Sequence, residues 1–246
     1  MEKIINRTGE IHITNEGYKT KIIVYVNSSN ATIQFESGLI IEGLQYSNIK
    51  RGKIKNPLHV SVQGVGFIGV GKYSKGTHPK VHDRWTKILY RSYCTDYHKT
   101  RPTYIDCSVD KRWHNFQNFT KWYEDNYVED FNLDKDILFK GNKIYSPETC
   151  CFVPTHINVQ FNKCRSVRGE YPVGVCFCNR EKKFFASLGT LNKRLHLGYF
   201  NNTEQAFEAY KVAKEEYIKE LANKWKSYIT KSCYQALMNY KVEITD

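Results

Sequence analysis

The chain reads as an α+β protein, with strands and helices segregated into successive stretches rather than alternating as βαβ units. Three observations carry this: short β-patterned runs broken by Asn, Gly and Ser near the start, two aromatic-rich helical stretches in the middle, and three strand runs followed by an apolar-striped helix near the end. A length of 246 residues suits two or three modest domains, each with its own core.

Residues 1–57 form the first block. Ile11-His12-Ile13 closes at Asn15-Glu16-Gly17, Lys21-Ile22-Ile23-Val24-Tyr25-Val26 closes at Asn27-Ser28-Ser29-Asn30, and Thr32-Ile33-Gln34-Phe35 closes at Ser37-Gly38. A small β module is expected. Lys50, Arg51, Lys53 and Lys55 then place four cations in six residues before Pro57, and a solvated turn and a phosphate contact are both open readings. Residues 58–80 carry Gly64, Gly66, Gly69, Gly71 and Gly76 and read as a glycine-rich connector. They contain no G-x-x-x-x-G-K-[ST], so a nucleotide-phosphate loop is not expected.

Within residues 81–163, Trp85, Ile88, Leu89 and Ser92 recur at helical spacing behind Asp83, which predicts an amphipathic helix over 83–93. After Thr100-Arg101-Pro102, Trp113, Phe116, Phe119, Thr120 and Tyr123 repeat at three- and four-residue intervals, a second helix whose aromatics read as core. Leu133-Asp134-Lys135-Asp136, Gly141 to Cys150 and Thr155-His156-Ile157-Asn158 read as a strand, a loop, a second strand and a short helix. Residues 168–230 open at Arg168-Gly169 and predict strands over 174–179, 183–189 and 194–200. Turns at Asn179-Arg180-Glu181-Lys182 and Asn192-Lys193 separate them. A helix follows Asn201-Asn202-Thr203 with Ala206, Phe207, Tyr210, Ala213, Tyr217 and Leu221 on one stripe, leaving the far face of the sheet for a partner.

Lys and Arg number 37 against 25 Asp and Glu, a net charge of +12, and aromatics reach 14%. That balance points to a polyanionic partner. Residues 1–80 hold 11 basic and 5 acidic residues, 81–163 hold 12 and 11, and 164–232 hold 13 and 7. Basic ends around a nearly neutral middle suit flanking modules that grip phosphates and a central one that gathers oxygen ligands around a metal. Mean hydropathy is −0.58 and no apolar run reaches eighteen residues, so no membrane partner is expected. The start, Met1 to Asn6, shows no export signal, and a cytoplasmic location is expected. The eight cysteines include no C-x-x-C pair, which favours reduced, mostly buried thiols over a zinc ribbon.

Two resemblances sharpen these expectations. Asp134-Lys135, Tyr145-Ser146-Pro147 and Asn158 resemble the HNH or ββα-metal nucleases. The likeness is closest to the PacI-like variant, in which the usual Asp-His is rewritten and the loop ends in Tyr-Ser-Pro. Asn158 lies nine residues beyond Thr149, where the family commonly has an Asn, and 24 beyond Asp134. The resemblance implies a central ββα-metal HNH-like domain with flanking helices, in which magnesium or manganese is held by Asp134 and Asn158. Lys135 stands where the family has its His, and it serves as a base only if its pKa is strongly depressed. His156 is therefore the first candidate for activating water, ahead of His114, Tyr104 and Tyr145; the expected catalytic set is Asp134, Lys135, His156 and Asn158. The strands of 1–57 resemble a module at the front of some phage-type nuclease proteins.

Leu197-Gly198-Tyr199-Phe200 and Ala206-Phe207-Glu208-Ala209-Tyr210, within about fifty-five residues, resemble the integrase-type DNA-binding domain of the APETALA and ethylene-response class. That likeness implies a three-stranded antiparallel sheet plus helix whose sheet enters the major groove of duplex DNA, with Arg180, Lys182, Lys183, Lys193 and Arg194 reaching phosphates or base edges. Together the resemblances imply a sequence-specific double-stranded DNA endonuclease of homing or restriction-like phage type, working in the bacterial host cytoplasm if phage-encoded. Residues 226–246 extend the last helix or mediate a homodimer. The competing readings are a catalytically inactive DNA-binding regulator with a degenerate HNH fold and, third, an RNA-binding module.

Overall fold

The computed structural model describes residues 5–161, 170–244 and 246, and its architecture is α+β. Cys164 and the Arg168-Gly169 opening of the C-terminal module lie outside the described residues. The chain divides into two compact units, one running to Thr86 and including His114–Asn118, the other comprising Lys87–Trp113 and Phe119–Asp246.

In the first unit, β1 (Ile11–Ile13), β2 (Lys19–Asn27), β3 (Asn30–Phe35) and β4 (Ile40–Leu44) form an antiparallel meander in that order. Alternation along β2 and β3 turns Ile22, Ala31, Ile33 and Phe35 inward, where they pack with Ile49 of α1 (Tyr46–Lys50). β4 escapes the sequence pattern because Glu42 and Gly43 interrupt its apolar alternation, with Gly43 at φ +68°. The glycine-rich connector is a built loop rather than a slack one. Phe67 N–H donates to His114 O (2.9 Å) and Phe116 N–H to Phe67 O (2.9 Å). The Gln117 amide donates to Ile68 O (3.0 Å) and Tyr73 O (2.9 Å) and accepts from Tyr73 N–H (3.0 Å). A Cβ at Gly69 would meet Asn115 and one at Gly71 would meet Gln117 well inside contact distance, so these glycines admit the side chains that fasten the loop. α2 (Pro79–Tyr93) begins four residues before Asp83, since proline is tolerated in a helix's first turn.

The second unit continues with α3 (Thr95–Thr100), β5 (Ser108–Val109), α4 (Phe116–Asn126, entering this unit at Phe119), β6 (Phe131–Asp134), β7 (Ile144–Tyr145), β8 (Cys151–Pro154) and α5 (Thr155–Asn158). β6 and β8 pair antiparallel with Asp134 opposite Cys151 and Phe131 opposite Pro154, and β7 runs parallel to β5. Phe152 of β8 sits among the aromatics of α4 and the residues after it, stacked on Trp122 (5.6 Å) and edge-on to Tyr123 (5.1 Å) and Tyr127 (5.6 Å). Such pairs contribute roughly 0.5–1.5 kcal/mol each beyond their buried area. They anchor the hairpin that carries Asp134.

β9 (Val175–Cys178), β10 (Lys183–Gly189) and β11 (Arg194–Phe200) form an antiparallel sheet in the order β11-β10-β9. α6 (Thr203–Trp225) is capped by Asn202, whose side chain accepts from Gln205 N–H (2.9 Å), and covers one face through Ala206 and Tyr210 against Val175, Ala186 and Leu188. The C-terminal residues form a separate helix, α7 (Lys231–Met238), rather than an extension of α6. Glu215 fastens the chain beyond it, accepting from Val242 N–H and Lys241 Nζ, both at 3.0 Å. Among the described residues no helix is long and apolar enough to cross a membrane.

Two expectations test this packing. Gly174 sits at φ +78° with the Tyr210 ring where a Cβ would go, whereas Gly141, at φ +79°, faces open space. Gly174→Ala should therefore cost several kcal/mol and Gly141→Ala only about 1 kcal/mol, read from urea denaturation. Lys214 donates to Gln160 O (2.9 Å) and Oε1 (3.0 Å), and burial lowers its pKa from 10.5 to about 8 against the opposing pull of Asp246. Between those pH values the unfolded chain holds the extra proton, so stability rises with pH, and the burden is full below pH 8. Lys214→Met should gain about 1–3 kcal/mol at pH 7, and thermal melts should show that gain fading as pH approaches 10.

Candidate functional site

Asp134 closes β6 and turns the chain into the loop. Its Oδ1 accepts from the backbone N–H of Asp136 (2.7 Å) and Ile137 (2.8 Å), the side-chain-to-backbone turn that short acidic residues favour. Oδ2 has no hydrogen-bond partner among the described residues. Removal from water pushes the carboxyl pKa up, an effect that its two backbone donors oppose and the neighbouring Asp136 reinforces. Among the described residues no cation forms an ion pair with Asp134: the adjacent Lys135 ammonium lowers its pKa through space but is hydrogen-bonded to Asp136 Oδ1 (2.7 Å) and Asn142 O (2.9 Å).

The loop that follows is held at both ends. Asn142 Nδ2 donates to Lys135 O (2.8 Å) and Ile144 O (2.7 Å), and Thr149 Oγ1 donates to Ile144 O (2.6 Å). Ser146 Oγ accepts from Glu148 and Thr149 N–H, both at 3.2 Å, and Cys150 N–H returns to Ser146 O (3.0 Å). Tyr145 is buried, with its hydroxyl bonded to Arg91, and burial together with Tyr104 drives its pKa far upward, so it is a neutral phenol at physiological pH. The Tyr-Ser-Pro stretch is thus a structural clasp, reinforced by Arg112, which binds Glu148 with both terminal nitrogens (2.7 and 2.6 Å) and Asp110 besides. Asn142, Arg91 and Arg112 were not legible as site-supporting residues, since single polar residues in a loop carry no spacing signal.

On the other side of the hairpin, Asn132 Nδ2 donates to Thr155 Oγ1 (2.8 Å), linking β6 to the first residue of α5. Asp134 lies two residues beyond Asn132 and so shares its strand face; Asn158 lies one turn beyond Thr155 on its helix face. Asn158 is half-buried and its side chain makes no hydrogen bond among the described residues. His156 faces elsewhere. Its ring packs on Trp225 of α6 (5.1 Å), its Nε2 is enclosed without a hydrogen-bond partner among the described residues, and burial, with Lys224 nearby, lowers its pKa and favours the neutral imidazole. His114 belongs to the first unit, and Tyr104 ends a 3₁₀ turn at Pro102–Tyr104. Among the described residues, no three or more His, Cys, Asp and Glu side chains are arranged to hold a metal ion. A carboxylate and an amide are a different, all-oxygen donor set, of the kind that suits a hard divalent cation sharing its shell with water and phosphate.

The C-terminal cations divide by position. Lys183 and Arg194 stand on the sheet face opposite α6, Arg180 and Lys182 sit in the β9–β10 turn, and Lys193 sits in the β10–β11 turn. All five are exposed, and among the described residues only Arg180 has an ion-pair partner, Glu181 at 3.4 Å. Lys182 holds φ +52°, where glycine is the ordinary choice, a small strain retained together with a positive charge. Between the cations lies an aromatic patch on the sheet face opposite α6. Phe185 stacks on His196 (5.8 Å, 10°), and His196 meets Tyr199 at 4.8 Å. Gly198 N–H donates to His196 Nδ1 (3.2 Å), so the neutral ring carries its proton on Nε2.

Compared with known proteins, the chain matches no protein-family model, no curated protein and no solved structure.

Stability reports on the Asp134 carboxylate independently of activity. Asp134→Asn keeps an oxygen for the Asp136 and Ile137 N–H groups while removing the desolvated charge, and should leave the melting temperature unchanged or higher. Asp134→Ala strands both donors and should cost about 1–3 kcal/mol in thermal or urea unfolding.

Proposed function

We propose that this protein is a double-stranded DNA endonuclease that hydrolyses phosphodiester bonds with magnesium or manganese at Asp134 and Asn158, and that the open face of the C-terminal sheet reads the DNA. The observation that carries this reading is Asp134 itself. It is a half-buried carboxylate with one oxygen fixed by two backbone donors, the other without a hydrogen-bond partner among the described residues, and the neighbouring Lys135 ammonium bonded to Asp136 and Asn142 instead, at the end of the first strand of a strand–loop–strand–helix unit. Desolvated charge that is only partly compensated is where a fold has given up stability, and such positions concentrate at functional sites.

Asp134 Oδ2 and the Asn158 amide oxygen would hold the ion. When bound, a hard divalent cation neutralises phosphate charge and acidifies a coordinated water. Lys135 is a positioning residue in this account, since its ammonium ties the start of the loop to Asn142. Lys183, Arg194 and the turn cations meet phosphates, while Phe185, His196 and Tyr199 offer an apolar surface and one outward donor to base edges.

A second reading, a DNA-binding regulator without activity, is favoured by two observations: Lys135 is already committed to Asp136 and Asn142, and the His156 Nε2 is enclosed against Trp225. Incubating supercoiled plasmid with the protein separates the two. The nuclease reading expects cleavage with magnesium or manganese, none with EDTA, and at least about a hundredfold loss in Asp134→Ala. Binding without cleavage under every divalent ion would establish the regulator, and full cleavage by Asp134→Ala would refute the site. In the same preparation, Lys183→Gln/Arg194→Gln should weaken DNA binding, measured by fluorescence anisotropy.

A further inference from the structure

We infer that the first unit carries a second DNA contact, a phosphate-binding strip made by Lys50, Arg51, Lys53 and Lys55, which grips the duplex backbone without reading sequence. The inference rests on the reading of this protein as DNA-binding. It is carried by the way the segment is built.

The four cations are exposed, while the residues between and beside them are drawn inward: Ile49 and Asn56 are buried, Gly52 is buried, and Ile54 packs on the β1–β4 core. The backbone that displays them is fixed at nearly every step. Arg51 N–H donates to Ser47 O (3.2 Å), Gly52 N–H to Ile49 O (2.9 Å) and Lys53 N–H to Asn48 O (2.9 Å), and Gly52 O accepts from Asn15 N–H (2.7 Å). Asn56 N–H donates to Glu16 Oε2 (2.9 Å), and Asn56 Oδ1 accepts from Leu58 N–H (2.9 Å). Gly52 itself sits at φ +66° with Asn15 Oδ1 and Ile13 O at 2.7 and 2.8 Å from where a Cβ would be, so only glycine lets the segment lie against the sheet in this form.

A solvated turn needs none of this. Surface lysines that serve solubility alone are equally serviceable on a loose loop, and they commonly find carboxylates. Here Tyr46 to Pro57 contains no acidic residue, and among the described residues none of the four cations has an ion pair. Glu16, the acid that reaches the segment, spends Oε2 on the Asn56 backbone. Four unneutralised cations on a pre-ordered backbone lose little freedom on meeting a regular row of phosphates, and each phosphate engaged releases condensed counterions. A lipid surface fits less well, because within Lys50–Lys55 the apolar side chains turn toward the core and leave no edge to insert.

The test compares three full-length proteins: wild type, Lys50→Gln/Arg51→Gln/Lys53→Gln/Lys55→Gln, and Lys183→Gln/Arg194→Gln. Affinity for two unrelated duplexes is measured across a salt series. The strip variant should melt with wild-type protein, weaken binding about tenfold or more at low salt to the same extent on both duplexes, and lower the slope of log affinity against log salt by about 2 to 4, near 0.9 per phosphate contact. An unchanged slope in the strip variant, with binding lost in the sheet variant, would overturn this inference and leave the DNA-binding reading standing. Failure of wild-type protein to bind either duplex would overturn both. Binding to vesicles of anionic phospholipid that the strip variant loses, with DNA affinity intact, would assign the surface to lipid and overturn the inference.

Discussion

The functional account depends on one electrostatic constraint: the Asp134 carboxylate is held where water is partly excluded, and the fold provides donors for one oxygen but, among the described residues, no ion pair. Lys135, next in sequence, would be the natural partner. It turns instead to Asp136 and to the Asn142 carbonyl, where it locks the loop. The surrounding architecture maintains that arrangement. Phe152, seated among Trp122, Tyr123 and Tyr127, fixes β8; β8 fixes β6; and the hydrogen bonds of Asn142, Ser146 and Thr149 order the intervening loop.

Most of the architecture was legible because it rests on periodicity. The strands of the C-terminal sheet and the Asn202-capped helix fall where two-residue and three-to-four-residue repeats place them, and the aromatics at Trp113, Phe116, Phe119 and Tyr123 are core as their spacing implies. Features without periodicity were not legible. β4 is broken by Glu42 and Gly43, and the glycine-rich stretch owes its order to Asn115 and Gln117, more than forty residues away. The family resemblance singled out Asp134 and Asn158 together but carried no information on side-chain commitment. His156 looked available because it neighbours Asn158, yet adjacent residues on a helix point in different directions, and its ring is taken up by Trp225.

Under the proposed DNA-binding reading, the two ends of the chain meet the same polyanion in different ways. On the C-terminal sheet, cations surround a patch of Phe185, His196 and Tyr199, a combination able to distinguish base edges as well as hold phosphates. On the N-terminal unit, cations stand alone on a fixed backbone, a combination suited to charge and blind to sequence. On the proposed reading the nearly neutral middle segment suits a cation site, because oxygen ligands hold a cation poorly in a strongly positive surrounding field.

The most direct test of the central claim is divalent-ion binding by the intact protein, free of DNA, followed by electron paramagnetic resonance of manganese. Wild-type protein should hold one manganese ion that both Asp134→Asn and Asn158→Ala release, even though Asp134→Asn is folded and no less stable. Manganese bound with the same stoichiometry and affinity in both variants would contradict the account, because the ion would then belong to other residues.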